Sequence, residues 1–429
     1  MLLQNALLVS LDPPHVEAGD LRVEGPRIAE RGRRLEPQAG EEVVDLADRI
    51  VMPGLVNAHT HLYGSLARGM PPPDPPPRTF VEILDRVWWR LDRALDEDSV
   101  YVSGLAGAAE AALSGTTLLL DHHASPGFVR GSLATLARAT EEVGLRSVLC
   151  YEVTDRHGPE GTRDGLEENV AFHRDHQSEL TRGMVGGHAS LTLSEQSLNG
   201  LAAAVGETGT SLHIHVAEDL ADLDDCRNRY GLTLLERLDH HGLIASRSVM
   251  AHCVHLTEGE IDQVHRMGGW IAHNPRSNMN NAVGHARAGS MKRAALGTDG
   301  IDQDMFAEAR ACHLKLRDVG WDDAAQSAFG MLVGGHRLAA ALFGLPFGKL
   351  DHGGPADLLV LDYAPHTPLT AANLPGHLLF GIGRSHVESV LVAGRWVVRD
   401  RRLKAVDARG LAARARTAAT GLWERMAAL

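Results

Sequence analysis

PGLVNAHTHLYGSLARGM, residues 53–70, follows the β-forming run RIV with a proline, a glycine and a short apolar stretch, and then presents two histidines one residue apart. Along a strand, residues i and i+2 point to the same face, so His59 and His61 at a strand end bring both imidazoles to one point. A pair of histidines in an ordinary turn reads the same way in isolation. The decision rests on what surrounds them. Working outward, β-forming runs alternate with helical stretches: VMPGLVNA, TTLLLD, RSVLCYEV, GMVGGHASL, SLHIHVAE, SVMAHCVH, GWIAHN and AALGTDG are separated by segments such as VYVSGLAGAAEAAL, GSLATLARATEEVG and TEGEIDQVHRMG. Eight strands, each followed by helix, predict an α/β fold of the closed (β/α)8 TIM barrel type rather than an open doubly wound sheet.

Both chain ends are short-stranded and turn-rich, as in NALLVSLD and EEVVDLAD at one end and ADLLVLDY and VESVLVAGRWVVRDRRL at the other. Neither end is large enough to bury a core alone, so the two are expected to pack together as a small β-sandwich. The expected organisation is residues 1–51 and 346–405 as its halves, 52–345 as the barrel and 406–429 as a C-terminal helix. The proline-rich MPPPDPPPR after the first strand is expected to be a surface loop over the barrel mouth.

Composition narrows the function. The formal net charge of −13 over 429 residues works against phosphate backbones and anionic membranes. No run approaches the roughly 18 apolar residues of a spanning helix, and the N-terminal stretch reads as a strand and not a signal peptide. Nucleic-acid and membrane partners are therefore not expected, and a small molecule is. The four cysteines show no C-x-x-C spacing, which excludes the cytidine-deaminase type of zinc site and fits a reducing cytoplasm. There is no H-E-x-x-H helix and no glycine-rich phosphate loop.

Three further clusters fall at predicted strand ends. HIHVAE, residues 213–218, offers His215 near the mouth, His213 one layer deeper as a core histidine, and Glu218 three residues past His215. MAHCVH ends the sixth strand with His252, leaving His255 to the loop, and GTDG places Asp299 between glycines after the eighth. Four clusters on the face where such barrels carry their active sites make a shared metal site the expected reading. Imidazoles and carboxylates are the side chains that bind a catalytic divalent ion.

In this order PGLVNAHTHLYGSLARGM, HIHVAE, AHCVH and GTDG resemble the amidohydrolase superfamily, in its cytosine, guanine and S-adenosylhomocysteine deaminase and chlorohydrolase branch; WWRLDRAL, LLLDHHASP and HNPRSNMNNAVGHA are similar to aminohydrolases of the SsnA type. The resemblance covers essentially the whole chain. It implies one divalent ion, zinc with iron as the alternative, held by His59, His61, His215 and Asp299. It also implies proton transfer by Glu218, with His252 facing the water or developing oxyanion and Asp299 also carrying a proton. Two-metal branches place a carboxylated lysine at the end of the fourth strand, where this chain has His188 in VGGHASLTLSEQ; one metal is implied.

Candidates for substrate contact are His122, His123, His188, Arg276 and Asn278, each of which reads equally as loop capping. Trp88 and Trp89 could stack on a flat ring, although FVEILDRVWWRLDRAL reads as an amphipathic helix with at least one tryptophan in the core. The expected reaction is hydrolytic deamination of a purine-like or pterin-like heterocycle. Hydrolysis of a cyclic amide or a halogenated triazine-like ring is the alternative, and a non-catalytic scaffold the remote one. A homo-oligomer, dimer or larger, is expected.

Overall fold

The computed structural model describes residues 1–429. Each of the eight runs becomes a parallel strand: β1 (Leu55–Thr60), β2 (Thr116–His123), β3 (Arg146–Val153), β4 (Val185–Ala189), β5 (Leu212–Val216), β6 (Val249–His252), β7 (Trp270–His273) and β8 (Ala294–Leu296). Hydrogen bonds join them in sequence order. A parallel bridge between Thr60 and Asp299 joins the last unit back to the first, and the carbonyl of His59 accepts the N–H groups of Thr298 (3.0 Å) and Asp299 (2.9 Å). The sheet thus closes into a (β/α)8 barrel. Every residue of these eight strands is buried, as expected of strands covered on both faces.

Helices follow the strands and cover them, among them Glu97–Leu113, Ser132–Val143, Gly158–Asp175, Glu195–Thr208 and Glu258–Arg266. Sequence-encoded caps set several starts: Thr257 and Glu260 form a reciprocal capping box, as do Thr233 and Glu236. After β7 the regular helix shrinks to Pro275–Asn280. The helix Ala324–Phe343 presses onto β8 so closely that a Cβ on Gly334 would lie 1.8 Å from the carbonyl oxygen of Ala294, a contact only glycine permits.

The two chain ends form a single nine-stranded sheet. Ile50–Pro53 pairs antiparallel with Leu358–Leu361, joining the N-terminal strands to Val387–Val392 and Arg395–Arg399. Period-two alternation divides its residues between two cores. Leu358 and Val360 pack with Leu3, Leu8, Leu21 and Ile28, whereas Leu359 and Leu361 join the large core shared with the barrel helices. The helix Ala408–Ala428 returns to the barrel, where Trp423 donates to the Leu66 carbonyl and Arg425 to that of Ala94. No helix is long and apolar enough to cross a membrane.

Arg146, at the start of β3, and Asp357, just before Leu358, form a fully buried bidentate pair (2.6 and 3.1 Å) tying the barrel floor to the terminal sheet. Asp357 also accepts the N–H of Ala393. Arg146→Met leaves that carboxylate buried without its counter-charge and is expected to destabilise the fold by about 3–5 kcal/mol. Denaturant unfolding checks this, and a loss under about 1 kcal/mol would mean that the pair is only surface-like in strength.

Candidate active site

The four sequence clusters meet at the C-terminal mouth of the barrel. Nε2 of His61 lies 3.2 Å from Nε2 of His215 and 3.0 Å from Oδ1 of Asp299, while Nε2 of His59 lies 3.7 Å from the same oxygen. His59, His215 and His252 also bring nitrogens within 4.8 Å of one another, as do Glu218, His252 and Asp299 their ligand atoms. The strand-end geometry that aims these groups is unusual. Ala217, His252, Cys253 and Asp299 all have positive φ, between 50° and 71°. Such backbone costs on the order of 1–3 kcal/mol per residue and persists where neighbouring structure enforces it. Close approach helps here too: a Cβ on Gly297 would sit 2.4 Å from the Asn274 side-chain oxygen and 2.8 Å from the Cβ of His59.

Each imidazole is oriented by its other nitrogen. Nδ1 of His61 donates to the carbonyl of His122 (2.6 Å) and Nδ1 of His215 to that of His188 (2.8 Å). With both Nδ1 atoms committed, the two Nε2 atoms are left facing each other beside Asp299, and either a proton on His61 or a cation between them satisfies the pair. Nε2 of His59 and Nε2 of His252 are buried with no hydrogen-bond partner, while Nδ1 of His59 is taken by His213 (2.9 Å). This donor set fits a divalent ion: imidazole nitrogens and a carboxylate, oriented by their other partners and converging at the base of a pocket. Asp299 is further held by the Ser277 hydroxyl.

Burial would raise the carboxyl of Asp299, but His61 and His252 hold it well below its ordinary range. Burial pushes Glu218 up to about 7, opposed by His252 and reinforced by Asp299. Its Oε2 lies 3.5 Å from Nε2 of His252, and its Oε1 accepts from Asn281 at 3.3 Å. Burial also drives His59 and His215 well below 6.5, into the neutral form that a metal ligand needs, whereas at His61 burial is outweighed by Asp299, which raises the ring to about 9.

The pocket above the cluster has an apolar wall of Phe80, Leu84, Trp88 and Trp89 and a polar side that includes Asp92, Glu152 and His188. Both tryptophans reach it, and Trp88 also packs against the large core, as expected for at least one of them. A π-turn over Leu84–Trp88 inserts an extra residue into the helix and rotates its last turns relative to the first. The proline-rich 70–78 stretch contributes no lining residue; it lies beside the C-terminal helix, sharing a surface groove with Trp423 and Met426, and the helical segment after it forms the wall of the mouth.

Of the expected substrate contacts, only His188 lines the pocket. Arg276 does not: it is committed to Asp302 (2.6 and 2.9 Å) and to the buried Glu308, whose charges hold its guanidinium away from the mouth. Asn278 is also corrected, since its side-chain oxygen accepts from Nδ1 of His252 (2.8 Å) and so orients that ring. His122 lies beneath the cluster, with Nδ1 3.3 Å from Glu152 and Nε2 facing the carbonyls of Gly187 and His213. His123 turns outward from the pocket to the Ser125 hydroxyl (2.8 Å). His213 is the buried core histidine expected, and His255 bonds the Val283 carbonyl.

Glu152 was not singled out from the sequence. Burial opposes its ionisation, but His188, His122 and Arg156 hold it well below the usual carboxylate range. The signal was a lone acid near the C-terminal end of the strand run RSVLCYEV, after the apolar VLCY. Asn281, Ser277 and Asp92 were also missed, because their partners are distant in sequence.

His123 makes a pH-dependent prediction. The Ser125 hydroxyl donates to the Phe128 carbonyl, so it accepts from Nε2–H of His123 and leaves Nδ1 unprotonated and unpartnered. Burial lowers this imidazole from 6.5 to about 3. A base depressed on folding gives its full stability above pH 6.5 and loses it as pH falls toward 3, because the unfolded chain takes up the proton first. The loss is about 1.4 kcal/mol per pH unit within that window. Denaturation midpoints from pH 7 to 4 should fall more steeply for the wild type than for His123→Gln. Equal slopes would show that His123 protonates within the fold.

Imidazoles and carboxylates gathered at the C-terminal mouth of a closed eight-stranded barrel define a barrel hydrolase. The chain belongs to the amidohydrolase family, whose family model matches residues 50–397. It is 30% identical over 444 residues to a 5'-deoxyadenosine deaminase of Methanosarcina mazei, covering 99% of each chain. It is likewise 30% identical to a 5-methylthioadenosine/S-adenosylhomocysteine deaminase of Desulforudis audaxviator, over 95% of each. Among solved structures, it shares the fold of an adenosine deaminase from Xanthomonas campestris with bound zinc (TM-score 0.86, 24% identity, 100% of this chain and 98% of that one). It also shares the fold of the atrazine chlorohydrolase TrzN from Arthrobacter aurescens TC1 in complex with zinc (TM-score 0.83, 20% identity, 97% and 99%). It is a hydrolase acting on carbon–nitrogen bonds other than peptide bonds.

Proposed function

We propose that the protein is a divalent-metal-dependent hydrolytic deaminase that replaces the amino group of an adenine-type nucleoside with a carbonyl and releases ammonia. The observation that carries this reading is the convergence of His59, His61, His215 and Asp299 on one point, with Glu218 beside it, beneath a wall of aromatic side chains. The four converging residues would hold the ion, zinc or alternatively iron. It would supply Lewis-acid activation of water at neutral pH. With His188 and no lysine ending the fourth strand, one ion per chain is the reading supported.

The chain's own groups handle the protons. Glu218 takes one from the attacking water as oxygen bonds to the carbon bearing the amino group, then delivers it to the adjacent ring nitrogen. A carboxyl near 7 suits both steps, because its two protonation states lie close in energy at neutral pH. Asp299 accepts the remaining hydroxyl proton and passes it to the departing nitrogen. The C–N bond breaks as the carbonyl forms, and ammonia leaves. His252, its ring oriented through Nδ1 by Asn278, holds Nε2 3.5 Å from Glu218, where the protonated ring would donate to the developing oxyanion. Trp88 and Trp89 supply flat surfaces for a purine, and His188 a hydrogen bond to its edge.

The four cysteines are all buried and unpaired, which supports a cytoplasmic setting. Self-association into a homo-oligomer is part of this proposal, and light scattering of the purified protein is the check.

Ammonia release by the zinc-loaded enzyme from 5'-deoxyadenosine, 5-methylthioadenosine, S-adenosylhomocysteine, guanine and a pterin tests the reading. Turnover of the adenine nucleosides is expected to dominate. Halide from a chlorotriazine or a ring-opened acid from a cyclic amide, with no ammonia from any amine, would replace deamination by the alternative chemistry.

A further inference from the structure

At the end of the barrel away from the histidines, the starts of β7 and β8 open onto a cavity of about 500 Å3. Its lining includes His265, Arg266, Trp270, Lys292, Arg293 and Arg337, with Asp262 the one carboxylate among the lining residues. Arg337 is paired with Asp12 (2.7 and 2.9 Å), but the exposed Arg266 and Lys292 at the rim and the half-buried Arg293 are in no ion pair. Three uncommitted cations around one hollow stand out in a chain of net charge −13.

Donors without acceptors point the same way. The indole N–H of Trp270 is buried and unpartnered, and so is Nε of Arg293, whose guanidinium lies 4.4 Å from the centre of the Trp270 ring. Nε2 of His265 accepts the backbone N–H of Arg293 (3.3 Å), which leaves its Nδ1 as a further N–H donor in the neutral ring. Buried donors are rarely left unmatched, and here the missing partner would be an acceptor. Gly330 on the facing helix has open space where a side chain would stand.

We propose that this cavity is a binding site for a small phosphate-type anion, either inorganic phosphate or the head of a phosphate ester, held by Arg266, Lys292 and Arg293 with the Trp270 and His265 N–H groups. Charge-assisted bonds from guanidinium and ammonium to phosphate oxygens are the strong kind, and the indole N–H fixes orientation. The site is independent of the proposed deamination, since it lies at the other end of the strands that carry the histidines.

Calorimetry of the zinc-loaded full-length protein, titrated with inorganic phosphate or with glycerol 3-phosphate at constant ionic strength, tests it. Saturable binding of one anion per chain is expected, weakened at least tenfold in the Arg266→Glu/Lys292→Glu double variant with ammonia release unchanged. Trp270→Phe, which keeps the ring and removes the donor, should also weaken it. Similar responses to the two anions would assign the phosphate group itself as the ligand, and a response to glycerol 3-phosphate alone would assign an ester. Absence of saturable binding for both, or undiminished binding in the double variant, would overturn the proposal.

Discussion

Glu218→Gln is expected to keep its metal and lose about 10²–10⁴-fold or more in turnover, the range that positioned acid–base groups contribute. Gln retains the size of the side chain and can still meet Asn281, 3.3 Å away. It can neither accept the proton of the attacking water nor return it to the ring. Because Glu218 is not among the four groups that converge on the metal position, ion stoichiometry should be unchanged. The decisive measurement pairs ammonia release with metal analysis on the same preparation. Full ion content with near-normal turnover would remove Glu218 from the mechanism, whereas loss of the ion would make it a ligand.

His215→Ala is expected to reduce bound ion to well under one per chain and to abolish turnover. In the folded chain Nε2 of His61 and Nε2 of His215 stand 3.2 Å apart, with Nδ1 of each donating to a carbonyl. The two rings are thus held with their outer nitrogens facing each other beside Asp299, an arrangement that an ion can enter by displacing the His61 proton without rotating either ring. Removing one imidazole removes one of the four donors. Apoprotein and variant should therefore have similar melting temperatures, both below that of the ion-loaded wild type, whose extra stability comes from ion binding to the folded state alone. Restored turnover with added zinc in the wild type, and none in the variant, completes the test. A variant that keeps one ion per chain would move the ion elsewhere among the histidines.

The sequence-level reading succeeded where a short-range signal has a single physical meaning. Alternation of strand and helix, and histidines two apart at strand ends, translate directly into a barrel and a converging cluster. It fell short wherever the decisive partner lies far along the chain. Arg276 looks like a free donor in NPRSNMNN until Asp302 and Glu308 close around it. Asn278 looks like a substrate contact until the ring of His252 is seen against it. Trp88 and Trp89 both line the pocket while packing on apolar neighbours, a double role that helical periodicity alone does not mark. Glu152 was visible as an anomaly, a carboxylate in an apolar strand, but its purpose required the histidines of two neighbouring strands.

The bridge between Thr60 and Asp299 makes assembly of the centre inseparable from completion of the barrel. A nascent chain that has emerged only through β7 already contains every histidine of the centre and yet lacks the carboxylate that faces them. That carboxylate arrives on the same backbone that seals the seam, so a half-made barrel has no route to premature hydrolysis. An ion held by His59, His61 and Asp299 would tie the first unit of the barrel to the last, across the one join that is not consecutive in sequence.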